Sequence, residues 1–215
     1  MIWVTLKRVL AWLGLGLWTI SLTVCLTLLG SFPLYLANIH WLKLTEFGFT
    51  TGQLMTDYRQ LMAYLNFPWV NRLQMADFAS SVAGTQHFAD VKQLFLLAWL
   101  LLLISTPIAL RFLFVLRRRR SGYLLREPAW LGAIVPLVLL GLAALDFDRF
   151  FVMFHHLFFR NSNWLFDPQT DPVIMVLPET FFAQCFALAF IIFEILMLCG
   201  IVVARRSRKK LLAAV

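Results

Sequence analysis

The sequence predicts an all-α integral membrane protein with four transmembrane helices, and three observations support this prediction. Of its 215 residues, 61% are hydrophobic and only 14% are charged, whereas soluble proteins average about 45–50% and about 25%. Four long runs are uncharged or nearly so, and the basic residues cluster beside their ends. A soluble chain of 24.8 kDa with this composition would lack the polar surface needed to cover itself.

Each run is long enough to cross the hydrocarbon core, which takes about 18–20 apolar residues in a helix. No Asp, Glu, Lys or Arg occurs in residues 9–42, 93–110 or 128–145, and Glu194 is the only charged residue in 180–204. The strict alternation typical of a membrane β-barrel is absent, so the spans are predicted to be helices whose backbone groups pair internally. We place them within a single membrane domain, residues 1–215, at 9–36, 93–116, 129–146 and 181–203.

The distribution of basic residues predicts the orientation of these spans. Thirteen of the 19 Lys and Arg residues flank the spans on one side, where Glu127 is the only acid. They are Lys7, Arg8, Arg111, Arg117, Arg118, Arg119, Arg120, Arg126, Arg205, Arg206, Arg208, Lys209 and Lys210. The positive-inside rule therefore predicts that both termini are cytoplasmic. Orientation accounts for the net charge of +8, so no nucleic-acid partner is expected.

The segments 37–92 and 147–180 are then extracytoplasmic, and both are predicted to be structured. In the first, a cap at Thr50 and apolar residues at helical spacing predict a helix that ends before Pro68. The second is rich in phenylalanine, which indicates either an aromatic belt at the interface or a site that acts at the depth of lipid headgroups. Histidine, arginine and asparagine residues interleaved with the rings favour the site.

All four histidines lie in or next to these segments, and two of them have an acid at helical spacing. His87 precedes Asp90 by three residues, and His155 follows Asp148 by seven, so each pair shares one helical face. A carboxylate could orient an imidazole and raise its basicity, although a simple surface pair is the commoner arrangement. No HExxH or paired CxxC pattern occurs, so no metal site is expected.

Three stretches of the sequence together resemble a known family. The longest includes Phe154-His155-His156-Leu157-Phe158-Phe159, Trp164-Leu165-Phe166-Asp167-Pro168, Asp171-Pro172 and Leu177-Pro178-Glu179. The others are His87-Phe88-Ala89-Asp90-Val91-Lys92, ahead of the second span, and the stretch from Asp57-Tyr58 to Tyr64-Leu65-Asn66. In span number, topology and motif order, the chain resembles the bacterial lipoprotein intramolecular transacylases over most of its length.

The resemblance implies an activity and its residues. Such enzymes move the sn-2 acyl chain of a diacylglyceryl-modified lipoprotein onto the α-amino group of its own N-terminal cysteine, giving a lyso-form lipoprotein. The family's two histidines correspond to His87 and His155, the expected general acid and base, and no cofactor is implied. Supporting or substrate-positioning residues are expected at Asp90, Tyr58, Tyr64, His156, Arg160, Asn161 and Glu179. The implied partners are diacylated lipoproteins and membrane lipid, and the implied location is the bacterial cell membrane, with the site at its extracytoplasmic face.

From the residues alone, other classes stay open. A small transporter or channel subunit would need polar residues along the spans or an inverted repeat, and only Glu194 lies deep within a span. We interpret Glu194 as a hydrogen-bonded structural group, with a proton pathway as the alternative. A non-catalytic membrane interaction protein would tolerate alanine at both His87 and His155, and a metal-dependent hydrolase would be sensitive to chelators.

Overall fold

The computed structural model describes the backbone of residues 2–212 and the side chains of 6–141 and 145–209. Within these residues the fold is all-helical and contains no strand. The α-helices are α1 (Ile2–Trp41), α2 (Thr51–Asn66), α3 (Val82–Arg118), α4 (Arg126–Leu145), α5 (Phe147–Phe158), α6 (Val173–Val176) and α7 (Glu179–Leu212). Four of them, α1, α3, α4 and α7, are long and apolar enough to cross a membrane, which confirms the predicted fold class.

Helix α3 is longer than the span that hydropathy predicts, and this difference matters for the site. It begins at Val82 rather than at residue 93 and contains 37 residues, which corresponds to about 55 Å at about 1.5 Å per residue. The hydrocarbon core is only about 30 Å thick, so α3 extends beyond it. His87 and Asp90 lie on this extension, within the stretch from Gln86 to Phe95 that the sequence predicts to continue as a helix into the second span.

The chain forms two compact units, and long helices contribute to both. The first unit, which we call the bundle unit, contains residues 2–27, 98–144 and 188–212. Its core includes Leu116, Leu125 and Ala204, and Trp12 packs edge-to-face on Phe112 with ring centroids 4.9 Å apart. Glu194 belongs to this unit; its Oε1 is buried and makes none of the hydrogen bonds found among the described residues.

The second unit, which we call the site unit, contains residues 28–97 and 145–187. Its core is built from the end of α1, from α2 and α6, and from the first turns of α3 and α7. Tyr35, Ile39, Leu44, Leu54 and Val176 are among its fully buried side chains. Burial of apolar groups from five separate helices gives the segments between the spans a fixed structure, as the sequence predicts.

Helix α2 confirms the local prediction at both of its ends. Thr50 is the N-cap: its Oγ1 accepts from the N–H of Gln53 at 3.2 Å, and the Gln53 side chain accepts from the N–H of Thr50 at 3.0 Å. This reciprocal pair is a capping box. The helix ends at Asn66 because Pro68 disfavours helical geometry at the residue before it.

Candidate active site

The two histidines expected to be catalytic lie side by side in the site unit. The ring centroids of His87, on α3, and His155, on α5, are 5.7 Å apart, and their planes are inclined by 38°. Only 7% of His87 and 8% of His155 is exposed. The fold therefore brings together two imidazoles from separate segments in a largely water-excluded place.

The start of α3, which carries His87, is anchored by a residue from a distant segment. Ser81 is the N-cap, and its Oγ accepts from the N–H of Gly84 at 2.9 Å. The N–H of Ser81 itself donates to Oδ1 of Asp171 at 2.8 Å. In an ordinary capping box that acceptor is the side chain of the third helical residue, but here that residue is Gly84. The buried Asp171 carboxylate replaces it and also counters the positive end of the helix dipole.

His155 is oriented by one hydrogen bond and by stacked rings. Its Nδ1 lies 2.7 Å from the carbonyl oxygen of Phe151. Because a carbonyl can only accept, Nδ1 carries the hydrogen, and the lone pair of the neutral ring is on Nε2. The imidazole stacks on Trp164, with centroids 4.7 Å apart and planes at 28°. The Trp164 indole N–H donates to the carbonyl of Asn161 at 3.0 Å, which fixes the stacking partner.

The electrostatic surroundings of His155 favour its neutral form. Burial lowers its pKa below the usual histidine value, the hydrogen bond to Phe151 opposes this change, and the charge of a protonated His156 adds to it. A neutral imidazole is the form that can accept a proton.

The second imidazole, His87, has a buried Nδ1 with no hydrogen-bond partner among the described residues. The centroid of its ring lies 4.8 Å from that of Phe159 and 5.5 Å from that of Phe166. A buried, unpaired nitrogen of this kind is available to a substrate.

Asp90 contacts a different partner from the one its spacing indicates. Its Oδ1 accepts from Gln86 Nε2 at 3.1 Å, and its Oδ2 accepts from Asn161 Nδ2 at 3.0 Å. No hydrogen bond joins Asp90 to His87 among the described side chains, so Asp90 does not orient the ring directly; its charge raises the pKa of His87 against the larger effect of burial. The carboxylate instead connects α3 to the segment after α5, because the loop that follows α5 brings Asn161 to it.

The site unit also contains a cavity of about 250 Å³, whose lining does not include either histidine. Its lining combines one acid, one arginine and two amides with apolar groups: Asp90, Arg160, Gln93, Asn161, Leu94, Phe158 and Phe159. Phe159 connects the two places: it lines the cavity, and its ring centroid lies 4.8 Å from that of His87 and 5.7 Å from that of His155. The cavity is several times the volume of one water molecule, about 30 Å³.

The tyrosines expected to support the site lie in its core and not beside the histidines. Tyr58 stacks on Tyr35 with centroids 4.2 Å apart and donates its hydroxyl hydrogen to Ser31 at 2.6 Å. Tyr64 is buried beneath Lys92, whose Nζ lies 4.4 Å from the ring centroid. No described ring contact or hydrogen bond connects either tyrosine with His87 or His155.

Three further expected residues have different positions. His156 is exposed and meets Trp164 edge-on, with centroids 5.5 Å apart. Arg160 is exposed and lines the cavity. Glu179 begins α7 beside Asp148, and its Oε1 is buried without a partner among the described residues.

Sequence reasoning did not select Asp171 or Trp164 as site residues, although both lie in the stretch that carries the family resemblance. The Asp-Pro dipeptide at 171 predicts a turn, but no local pattern indicates that its carboxylate caps a helix 90 residues away. No group of three or more His, Cys, Asp or Glu with metal-binding geometry occurs among the described residues.

The fold and the site together define a class of protein: a helical membrane protein with a buried pair of imidazoles beside a polar cavity. The family profile of the lipoprotein intramolecular transacylase Lit matches residues 9–182. The chain therefore belongs to the lipoprotein intramolecular transacylases, which are membrane-integral acyltransferases.

Solved structures have the same fold. The membrane integral lipoprotein intramolecular transacylase Lit from Bacillus cereus is similar at a TM-score of 0.86 and 25% sequence identity, over 96% of this chain and 97% of that chain. A variant of that protein with a histidine replaced by arginine is similar at a TM-score of 0.80 and 24% sequence identity, over 100% of this chain and 97% of that chain. A variant with a histidine replaced by alanine is similar at a TM-score of 0.78 and 24% sequence identity, over 97% of this chain and 96% of that chain. No curated protein sequence matches the chain significantly.

Proposed function

We propose that this protein transfers the sn-2 acyl chain of a diacylglyceryl-modified lipoprotein to the α-amino group of the lipoprotein's N-terminal cysteine. The product is a lyso-form lipoprotein with an N-linked acyl chain and a free sn-2 hydroxyl. Family membership supports the reaction class. The observation that carries the proposal is the 5.7 Å separation of two buried imidazoles, His87 and His155, because the reaction needs a base and an acid at one place.

The chemistry requires only proton transfers and bond exchange. The amine nitrogen forms a bond to the ester carbonyl carbon while an imidazole removes its proton. The bond from that carbon to the glycerol oxygen then breaks, and the oxygen takes a proton from an imidazolium. An amide and a hydroxyl replace an amine and an ester, so neither water nor a cofactor is consumed.

We assign the role of base to His155 and the role of acid to His87. The hydrogen bond from Nδ1 of His155 to the Phe151 carbonyl leaves Nε2 with the lone pair, and the lowered pKa of His155 keeps that lone pair available near neutral pH. Burial and the charge of His155 lower the pKa of His87 to about 4, so His87 is neutral at rest and donates only a proton that has first passed to it from His155 during the reaction. Because both reacting groups belong to one substrate molecule, correct positioning supplies a large part of the rate.

The other expected residues either line the cavity or support the core around the site. Asn161 and Arg160 line the cavity and are proposed to donate to substrate oxygens, including the oxyanion of the tetrahedral intermediate. Tyr58 and Tyr64 are proposed to support the core beneath the site. Glu179, at the start of α7, is also proposed to support the core. His156 is proposed to act on His155 only through its charge.

We propose that the site faces the extracytoplasmic side of a bacterial cell membrane. His87 lies near the first residue of α3, whereas Arg117 and Arg118 are at its opposite end. The positive-inside rule assigns the arginine end, and with it both termini, to the cytoplasm. Diacylated lipoproteins present their lipid-bearing N-terminus at the opposite face, which agrees with this orientation.

The test is expression in a host that lacks other N-acylating enzymes, followed by mass spectrometry of a lipoprotein. Intramolecular transfer leaves the mass unchanged, so fragment ions of the N-terminal lipopeptide must show whether one acyl chain is on nitrogen. We expect N-acylation with the wild type and with His156→Gln, and none with His87→Gln or His155→Gln. A free amine and an intact diacylglyceryl group, despite verified expression, would refute the proposal.

A further inference from the structure

The cavity contains an acid, Asp90, that has no ion-pair partner among the described residues, although Arg160 lines the same cavity. Asp90 is half-buried and lines the cavity. Its two hydrogen-bond donors, Gln86 and Asn161, are both neutral amides. No salt bridge to Asp90 occurs among the described side chains, whose ion pairs are Lys43–Glu46 and Arg126–Glu127. A half-buried carboxylate held only by neutral amides can accept a cationic ligand.

The two amides also fix the direction of the carboxylate. Gln86, on the turn of α3 before Asp90, holds one oxygen, and Asn161 holds the other. An ionised carboxylate has about four acceptor positions, so two remain after these bonds. Asp90 is therefore oriented in advance, with acceptor capacity left on a carboxylate that lines the cavity.

We propose that Asp90 binds the α-ammonium group of the lipoprotein's N-terminal cysteine and that the cavity is the subsite for that terminus. This inference rests on the proposed function and specifies how the same site recognises its substrate. An α-amino group has a pKa of about 7.7–8.0, so it arrives mostly protonated and needs a counter-ion when it leaves water. The apolar walls at Leu94 and Phe158 suit the glyceryl thioether and the start of an acyl chain.

The position of Asp90 agrees with this role. It follows His87 by one helical turn on the same helix, and Phe159 borders both the cavity and the two imidazoles. Asp90 is near enough for its charge to raise the pKa of His87 against the larger effect of burial, so an ammonium group at Asp90 would lie near the imidazole pair. The ion pair itself opposes deprotonation, so its benefit lies in binding and orientation. Loss of Asp90 is expected to raise KM much more than it lowers kcat.

The experiment measures binding without reaction. Two lipopeptides carry ether-linked dialkylglyceryl groups, which have no ester carbonyl to attack; one has a free N-terminus and the other is N-acetylated. Each is titrated into the purified full-length protein in nanodiscs at low salt. For a partly exposed ion pair we expect the wild type to bind the free amine about fivefold more tightly, and we expect this preference to shrink at high salt.

Two variants separate the charge of Asp90 from other effects. Asp90→Asn is expected to bind both lipopeptides equally. Glu46→Gln removes an exposed acid of the same unit that does not line the cavity, and it is expected to keep the fivefold preference. Equal binding of the two lipopeptides by the wild type would overturn the inference without any variant, as would an unchanged preference in Asp90→Asn.

Failure of this inference differs from failure of the proposed function. If the ester lipopeptide is N-acylated but the ether analogues show no preference for the free amine, Asp90 is not the ammonium site and the reaction stands. If the free-amine ether analogue binds preferentially but the ester lipopeptide is never converted, the terminus is recognised and the transacylase assignment fails.

Discussion

Gly84 and Asp171 form one capping arrangement, in which the missing side chain of one residue leaves space for the carboxylate of the other. A methyl group at Gly84 would overlap Oδ1 of Asp171, the atom that accepts from the N–H of Ser81 at 2.8 Å. The start of α3 is thereby tied to the segment that follows α5. Since His87 lies in the second turn of α3, this pair positions an imidazole without touching it.

The first prediction concerns Gly84→Ala. Because the methyl group would displace Asp171, we expect a loss of about 1 kcal/mol, typical of a lost helix cap, and reduced N-acylation. Thermal unfolding in detergent and fragment mass spectrometry of the product would measure the two effects. Gly16→Ala is the matched control, since its Cβ would meet no atom within 4 Å and alanine favours a helix interior. Equal stability of both variants would show that the contact is unimportant.

A second prediction concerns the two adjacent histidines of α5. His155→Gln removes the proposed base and is expected to reduce the rate by a factor of about 10²–10⁴. His156→Gln changes an exposed ring that lies at right angles to Trp164, so its effect near neutral pH should be less than about threefold. Single-turnover rates with purified protein would measure both. Comparable losses would contradict the assignment of His155 over its neighbour.

The pH profile gives a third prediction. Burial lowers the pKa of His155, and catalysis requires its neutral form, so activity should persist below the ordinary histidine value of about 6.5 and fall only in more acidic buffer. Protonated His156 also lowers the pKa of His155. In His156→Gln the pKa of His155 rises, and the loss of activity should begin at a higher pH. A shift of the acid limb to lower pH in this variant would refute this electrostatic account.

The hydrogen bond between Asn161 and Asp90 gives a fourth prediction. Asn161→Ala removes a 3.0 Å bond to a charged group, which is expected to cost about 1.5–3 kcal/mol. Asn161→Asp should cost more, because two carboxylates would then face each other. Unfolding free energies of both variants in one detergent would rank them. If Asn161→Asp were as stable as the wild type, the contact between α3 and the following segment would be disproved.

A fifth prediction distinguishes proton transfer by histidine from metal chemistry. The proposed reaction uses only imidazoles, so incubation with EDTA followed by removal of the chelator should leave the initial rate unchanged. A loss of rate that zinc or another divalent cation restores would instead support the metal-dependent alternative.

Some features of the site unit could be predicted from residues close together in the sequence, and others could not. The capping box at Thr50 and Gln53 lies within four residues of sequence, so helix α2 could be predicted to within a residue or two. The partner of Asp90 could not. Helical spacing pairs Asp90 with His87, but the hydrogen bonds go to Gln86 and Asn161, because a distant loop competes for the same carboxylate.

The sequence by itself determined the four membrane helices. The hydrocarbon core requires a long run of apolar residues with internally paired backbone groups, and such runs are visible in the composition. It also determined which segments between the spans carry the histidines. Only the tertiary structure decided that His87 meets His155, that Asp171 caps α3, and that Asp90 faces a cavity. These contacts join segments separated by two membrane crossings, and they depend on how side chains pack in three dimensions, which no periodicity along the chain records.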